Sequence, residues 1–297
     1  MIQEVLAEII EVRPGRRIFC RHWVLGDEGI SATQTCTNTI NLVCVHGTAA
    51  SQEQFLPLWK ALNDLMTPSD KIRIHCLSFD AIGCGNSPKL KEELAYQDSE
   101  HVNDLEALTK KYLDLQFKTF FLGHSYGPTW IFKYLQQRRK KQQDFMAPVI
   151  LIGSGLRSEA LKVGGPALFR LPLFILNCLQ PLLSSSFMKI GFSSWTHKNN
   201  PKLISEALKG NNQNDMQVCS YYYRAHAWLS EVEYVESGPA LVLHGVEDGV
   251  IPLKCGQQLA NHLKTSLVSI ENASHMVHLE QTNEVAKHVW SFLQKHK

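Results

Sequence analysis

The stretch Phe120-Phe121-Leu122-Gly123-His124-Ser125-Tyr126-Gly127-Pro128 constrains this chain more than any other. An apolar run of strand type ends there in Gly-x-Ser-x-Gly, and apolar residues at helical spacing resume from Thr129 to Tyr134. A strand that turns so abruptly into a helix needs room for its backbone. Gly123 and Gly127 remove Cβ atoms that would collide in the turn, and Pro128 falls in the first helical turn, where its missing N–H costs little. The serine between them is lifted off the strand, open to a base and flanked by backbone N–H donors, the conditions under which a hydroxyl becomes a nucleophile. The pentapeptide alone also fits an ordinary glycine-rich turn, so its partners must be sought elsewhere in the chain.

Residues Val5 to Val12 and Arg16 to Trp23 read as strands joined by Arg13-Pro14-Gly15, which is hairpin chemistry. After a Thr-rich loop from Gly26 to Thr39, Ile40 to Val45 is a continuous apolar run, as in a central strand covered on both faces, and it ends in His46-Gly47. Ser51-Gln52-Glu53-Gln54 has the form of a capping box and opens a helix carrying Phe55, Leu58, Trp59, Leu62 and Leu65. A strand from Ile72 to Phe79 leads into the glycine-containing loop Asp80 to Pro88. No Lys-Ser/Thr follows that loop, so a nucleotide site is rejected in favour of a tight structural turn. A helix from Ser99 to Leu115, the elbow with its helix, and a buried strand from Pro148 to Ile152 come next. From Leu156 to Tyr234 strand alternation disappears. It returns in strands at Ala240 to His244 and Ser266 to Ile270, with helices from Leu253 to Leu263 and from Thr282 onward.

Alternation of strand and helix from Ile40 predicts an α/β fold with a parallel sheet covered on both faces and a helical insertion between two of its strands. The division is 1–155 for the first part of the core, 156–235 for the insertion and 236–297 for the second part. In such sheets the chemistry collects at the carboxyl ends of the strands.

With 30 Lys and Arg against 28 Asp and Glu, charge provides no basic stripe for nucleic acid. The run Arg138-Arg139-Lys140-Lys141 closes a helix, where cations complement the dipole. Eight single cysteines without paired spacing read as buried thiols in a reducing compartment. Met1 to Ile10 is too short and too acidic for a signal peptide, so the expected location is cytoplasmic. No metal or organic cofactor is implied.

A serine nucleophile requires a base near neutral pH and an acid that holds the base in the right tautomer. Asp248 and His275 each follow a predicted strand and complete the order Ser, Asp, His. Glu247 competes with Asp248 but is expected to face water. His278 competes with His275, and is read instead as a surface or supporting histidine. The remaining histidines, His124 among them, are expected to be buried and hydrogen-bonded. For the oxyanion hole, Tyr126 supplies one backbone N–H and Thr48, after His46-Gly47, the other.

His46-Gly47, the Asp80 to Ser87 loop, the elbow, the Asp248 turn and Ser274-His275-Met276-Val277 stand in an order that resembles the α/β-hydrolase superfamily over almost the whole chain. The insertion, with Leu171-Pro172-Leu173, Cys178-Leu179 and Ser186 to Phe192, is most similar to that of the α/β-hydrolase domain-containing proteins numbered eight. The resemblance implies a mainly parallel eight-stranded sheet, a cap over the active site, and the roles of nucleophile, acid and base for Ser125, Asp248 and His275. Relatives with an aspartate nucleophile are disfavoured by Ser125. Acyltransferase relatives carry an aspartate five residues after the histidine, where this chain has Glu280.

No charge occurs from Leu171 to Phe187, and Phe169, Phe174, Ile175, Leu176, Leu179, Leu182 and Leu183 either line an acyl-sized tunnel or pack the cap onto the sheet. Pro172 and Pro181 are read as breaking the run, which argues against a membrane span. A cap with one exposed apolar helix can also rest on a membrane surface. The sequence therefore points to a serine hydrolase acting on a lipophilic acyl ester or thioester. The competing readings are an acyltransferase and a non-catalytic protein that binds a small apolar ligand in the same pocket.

Overall fold

Eight strands, β1 (Gln3–Arg13), β2 (Arg16–Leu25), β3 (Asn38–Val45), β4 (Ile72–Phe79), β5 (Lys118–His124), β6 (Val149–Ile152), β7 (Ala240–Gly245) and β8 (Leu267–Ile270), form one sheet in the order β1-β2-β4-β3-β5-β6-β7-β8. The computed structural model describes residues 2–26, 38–114, 116–142, 145–156, 165–229 and 237–297. Strand β2 runs antiparallel to both its neighbours, and every pair from β4 to β8 is parallel. The hairpin read at Arg13 to Arg16 is thus the entry to an α/β-hydrolase fold, a mostly parallel sheet flanked by helices.

The central strands are apolar on both sides because both sides are covered. Val43, Phe121, Leu151 and Val242 point into a core shared with α2 (Asp98–Tyr112), α3 (Gly127–Lys141) and α9 (Leu253–His262). Their neighbours Leu42, Cys44, Phe120, Leu122 and Ile150 point into a second core with α1 (Leu56–Leu65) and α11 (Thr282–His296). The register decides where the loops emerge. Val45 pairs with Gly123, His124 with Ile152, Ile152 with Leu243 and Gly245 with Ile270, so these strands end level and their following loops share one edge.

The helix read from the capping box begins differently from expectation. Gln52–Phe55 is a 3-10 turn, and the Ser51 side chain makes no cap. The Gln52 N–H donates instead to Asp80 Oδ1 at 2.7 Å. The Asn86 N–H donates to Oδ2 of the same carboxylate at 2.8 Å, so Asp80 fills the glycine-containing loop that the sequence left as a tight turn. Burial raises the Asp80 carboxyl to about 6, against the lowering effect of those two N–H donors.

Between β6 and β7 the described residues form α4 (Gly165–Leu168), α5 (Leu173–Gly191), α6 (Ser194–Asn199), α7 (Pro201–Asn212) and α8 (Met216–Ala225). Pro172 precedes α5, but Pro181 lies inside it and does not break it. A proline there forfeits one backbone hydrogen bond, and α5 continues because Leu176 on one side of it and Ser184 and Met188 on the other are buried against the protein. By length and composition α5 could cross a membrane, contrary to the reading from its prolines. Phe174 and Leu182, expected to line a tunnel or pack the cap, face outward. Cys178 is exposed, whereas Cys20, Cys44, Cys76, Cys84, Cys219 and Cys255 are buried as expected; Cys36 and most of the Thr-rich loop lie outside the described residues. The short helix α10 (Val277–Glu280) completes the chain's elements before α11.

Candidate active site

At the end of β5, Ser125 has φ 57°, a left-handed conformation that a non-glycine residue adopts only when its surroundings hold it there. Its N–H donates to Ile152 O at 2.9 Å, extending the β5–β6 pairing into the turn. Two close approaches make the turn possible. A Cβ on Gly127 would stand 2.3 Å from Val45 O, and one on Gly47 would stand 2.8 Å from Ser125 Cβ and 3.3 Å from its Oγ. The loop carrying Thr48 therefore abuts the serine at Gly47.

Asp248 and His275 meet: His275 Nδ1 donates to Asp248 Oδ2 at 2.9 Å, which leaves Nε2 of the imidazole as the acceptor. Gly153, directly after Ile152, packs on this histidine, since a Cβ there would lie 3.1 Å from His275 O and 3.5 Å from Nδ1. The carboxylate is saturated. Its Oδ1 accepts the N–H groups of Val250 and Ile251, both at 2.8 Å, and its Oδ2 is also 3.2 Å from His244 Nε2. Because His244 Nε2 lies 2.8 Å from Ile251 O, that nitrogen carries a proton shared between carbonyl and carboxylate. Burial alone would raise the Asp248 carboxyl, but the facing His275 and the hydrogen bonds from both histidines hold it well below the usual carboxylate range. Nothing in the sequence signalled His244, which belongs to strand β7 and meets Asp248 only through the turn.

The competitors are elsewhere. Glu247 is exposed, as expected, and accepts the Ser194 N–H at 2.8 Å. His278 is fully buried rather than on a surface, its ring 4.5 Å from that of His124 and 5.9 Å from that of Phe55. Burial, then the neighbouring His275, pushes it down to about 3, so it remains neutral. His124 donates through Nε2 to His275 O at 3.0 Å, holding the backbone of the candidate base. Glu280 accepts the Ser193 N–H, the Thr196 hydroxyl and the Ser274 N–H, each at 2.7 Å. It ties the loop of His275 to the start of α6.

One histidine that the sequence reading passed over joins the two oxyanion candidates. His226, just after α8, places Nε2 2.6 Å from Thr48 Oγ1 and stacks on the Tyr126 ring with centroids 4.0 Å apart. The next residue, Ala227, donates its N–H to Tyr126 Oη at 2.8 Å. Burial pushes His226 down to about 3, with Lys133 adding to the effect. Beside this group, Leu176, Met216 and Cys219 form a small apolar cluster with Ala49, Phe169, Leu183 and Tyr223. Among the described residues, no group of three His, Cys, Asp or Glu side chains is arranged to hold a metal ion.

Comparison with known proteins agrees with this architecture. Residues 39–282 match the family model described as serine aminopeptidase, S33. Human protein ABHD8 is 27% identical over 275 residues, covering 90% of this chain and 58% of the relative, so the chain spans little more than half the length of that protein. Proline iminopeptidase PfmaB of Pestalotiopsis fici is 25% identical over 244 residues, 76% of this chain and 83% of that protein. Among solved structures, a thermophilic esterase from Thermogutta terrifontis superposes with a TM-score of 0.73 at 18% identity, covering 99% of this chain and 98% of that one. An esterase from Exiguobacterium antarcticum gives 0.74 at 15% identity, covering 97% and 100%. With strand order, elbow and matched span in agreement, the chain belongs to the α/β-hydrolase family described as serine aminopeptidase, S33.

Proposed function

We propose that the protein is a serine hydrolase that cleaves a carboxylic ester or thioester with a lipophilic acyl group through an acyl-enzyme on Ser125. The observation that carries this reading is the His275 Nδ1 to Asp248 Oδ2 hydrogen bond at the same sheet edge as a serine held in a left-handed turn. With Nδ1 donating, His275 Nε2 takes the Ser125 proton as Oγ attacks the carbonyl carbon. The oxyanion so formed is met by the backbone N–H groups of Thr48 and Tyr126. As the C–O or C–S bond breaks, Nε2–H returns the proton to the leaving alcohol or thiol. Water, deprotonated by the same nitrogen, then releases the acid and restores the serine.

The acyl preference rests on the apolar cluster around Leu176 and Met216, which includes Ala49 next to Thr48. An aminopeptidase role would need a carboxylate for the substrate's ammonium group. Three carboxylates among the described residues around the elbow and its loops are engaged: Asp80 by two backbone N–H groups, Asp98 by Lys133, Trp130 and Tyr126, and Glu280 by Ser193, Thr196 and Ser274. This favours ester over N-terminal peptide cleavage. Glu280 is likewise committed within the protein, which removes it as a counterpart of the acyltransferase aspartate.

The test is covalent labelling by a fluorophosphonate probe, with the modified residue read by mass spectrometry. Labelling confined to Ser125 and lost in Ser125→Ala is the expected result. A folded protein that is not labelled supports the binding-protein reading instead.

A further inference from the structure

Helix α5 has two unlike faces. Its inner face buries Leu176 and Met188, and the Phe187 ring meets the His275 imidazole edge-on with centroids 6.4 Å apart. Its last turn is bonded to both loops of the site: Ile190 O accepts the Ser274 hydroxyl at 2.7 Å and the Gly249 N–H at 3.3 Å, and Gly191 O accepts the Met276 N–H at 3.1 Å. The outer face follows the positions 173, 174, 177, 178, 181, 182, 185, 186, 189 and 190, all exposed, in a stripe that winds along the helix. It carries Phe174, 70% exposed, and Leu182, 63% exposed, with Leu173 and Ile190, and Lys189 is its one charged residue. Of the 11 exposed large hydrophobic residues among those described, six lie between Leu171 and Trp195.

Charge separates this surface from an ordinary apolar patch. No Asp or Glu occurs between Glu159 and Glu206, while Arg170, Lys189 and Lys198 are all exposed. An apolar face rimmed by cations, with a tryptophan at its border, is what an anionic bilayer surface selects in a helix lying in the headgroup plane. A full span is disfavoured by the inner face. Crossing the bilayer would strip Leu176 and Met188 from their packing and break the bonds from Ile190 and Gly191 to the site loops. We propose that the outer face of α5 docks on an anionic lipid bilayer, so that the segment touching His275 is also the one that lies against the membrane. The proposal deepens the hydrolase reading, since it makes the substrate a membrane-borne ester, but docking itself does not depend on Ser125 being active.

The experiment is flotation of the full chain with phosphatidylcholine vesicles, with and without about 30% phosphatidylserine. In parallel, an environment-sensitive fluorophore is placed on Cys178, the one exposed cysteine among those described, in a Cys36→Ser background. Expected are binding to the anionic vesicles with a blue shift of the Cys178 probe, and at least a tenfold (~) weaker partition for Phe174→Ser/Leu182→Ser. Neither residue belongs to the proposed machinery, so fluorophosphonate labelling in solution should be unchanged in that variant. Partition that is absent, or indifferent to the double substitution, overturns the proposal. So does a lipid-independent dimer in sedimentation that the same substitutions abolish, because a second copy would then cover the face. Vesicle binding without Ser125 labelling would retain the docking surface and reject the hydrolase reading.

Discussion

The proposed mechanism is most exposed to test at Asp248→Asn. The carboxylate receives N–H groups from four places: Val250 and Ile251 on Oδ1, His275 and His244 on Oδ2. An asparagine offers one oxygen and one NH2 group, so in either orientation its NH2 confronts two of these donors. With the oxygen toward the backbone N–H pair, the NH2 faces His275 Nδ1 and forces the imidazole to accept there. The ring proton then sits on Nε2, where the serine needs an acceptor. Loss of the right tautomer costs about four orders of magnitude in kcat, or about 5.4 kcal/mol of transition-state stabilisation. With the oxygen toward His275, the Val250 and Ile251 N–H groups are orphaned in a buried turn, at a cost of about 1–3 kcal/mol each in stability. The assay is kcat on a soluble activated ester together with the thermal midpoint, measured beside Glu247→Gln, which should stay within about threefold of the parent as exposed substitutions do. If Asp248→Asn kept kcat within tenfold (~) while Glu247→Gln collapsed, the assignment of the acid would be refuted.

Substitution of the two competing histidines should separate chemistry from packing. His275→Ala should abolish fluorophosphonate labelling, whereas His278→Leu, which replaces a buried ring whose nitrogens have no hydrogen-bond partner, should label within about threefold of the parent rate. Comparable losses would place both histidines in the chemistry. Gly47→Ala would put a methyl group 2.8 Å from Ser125 Cβ, so labelling should slow by at least about tenfold, with a loss of about 1–3 kcal/mol in stability from overpacking the turn. An unaffected rate would mean that the Thr48 loop moves freely past the serine. Stability should fall with acid. Burial holds His46 at about 4 and His278 at about 3, and His101 and His124 well below the ordinary range, so all bind protons in the unfolded chain first. Their contribution is complete above about pH 6.5 and is lost as pH falls toward those values, at about 1.4 kcal/mol per pH unit for each. Asp80, raised to about 6, acts in the opposite sense between that value and its ordinary range, but one group does not offset four. A urea midpoint that stayed flat from neutral pH to pH 4.5 (~) would contradict this.

What could be read from the chain and what could not divide along the range of the interactions. The strand Ile72–Phe79 was legible to the residue because apolar Ile72, Ile74 and Cys76 alternate with polar Arg73 and His75, and the run stops at the turn residues of the Asp80 loop. The meeting of Asp248 and His275 was legible because each follows a strand, and level strand ends bring their loops to one edge. The fate of Ser51 was not, since Asp80, 28 positions from Gln52, takes the first N–H of the turn and the Gln54 N–H turns to the Ser51 carbonyl instead of its hydroxyl. Pro181 misled for a related reason: a local rule about prolines gave way to burial on both sides of it. His226 could not have been singled out, because its partner Thr48 lies 178 positions earlier and no spacing rule connects them.

That histidine also links two events that hydrolases can keep apart. The peptide units proposed to receive the oxyanion are carried by Thr48 and Tyr126, and both side chains are held by the segment that leaves α8. Were that segment to swing outward to admit a substrate, the Thr48 hydroxyl would lose its His226 partner and the Tyr126 ring its stack in the same movement, with Asp98 still holding the Tyr126 hydroxyl. In the proposed hydrolase, opening would thus loosen both candidate donors, and closing would present them assembled. Under the proposed function, entry and readiness would then be coupled through one segment rather than set separately.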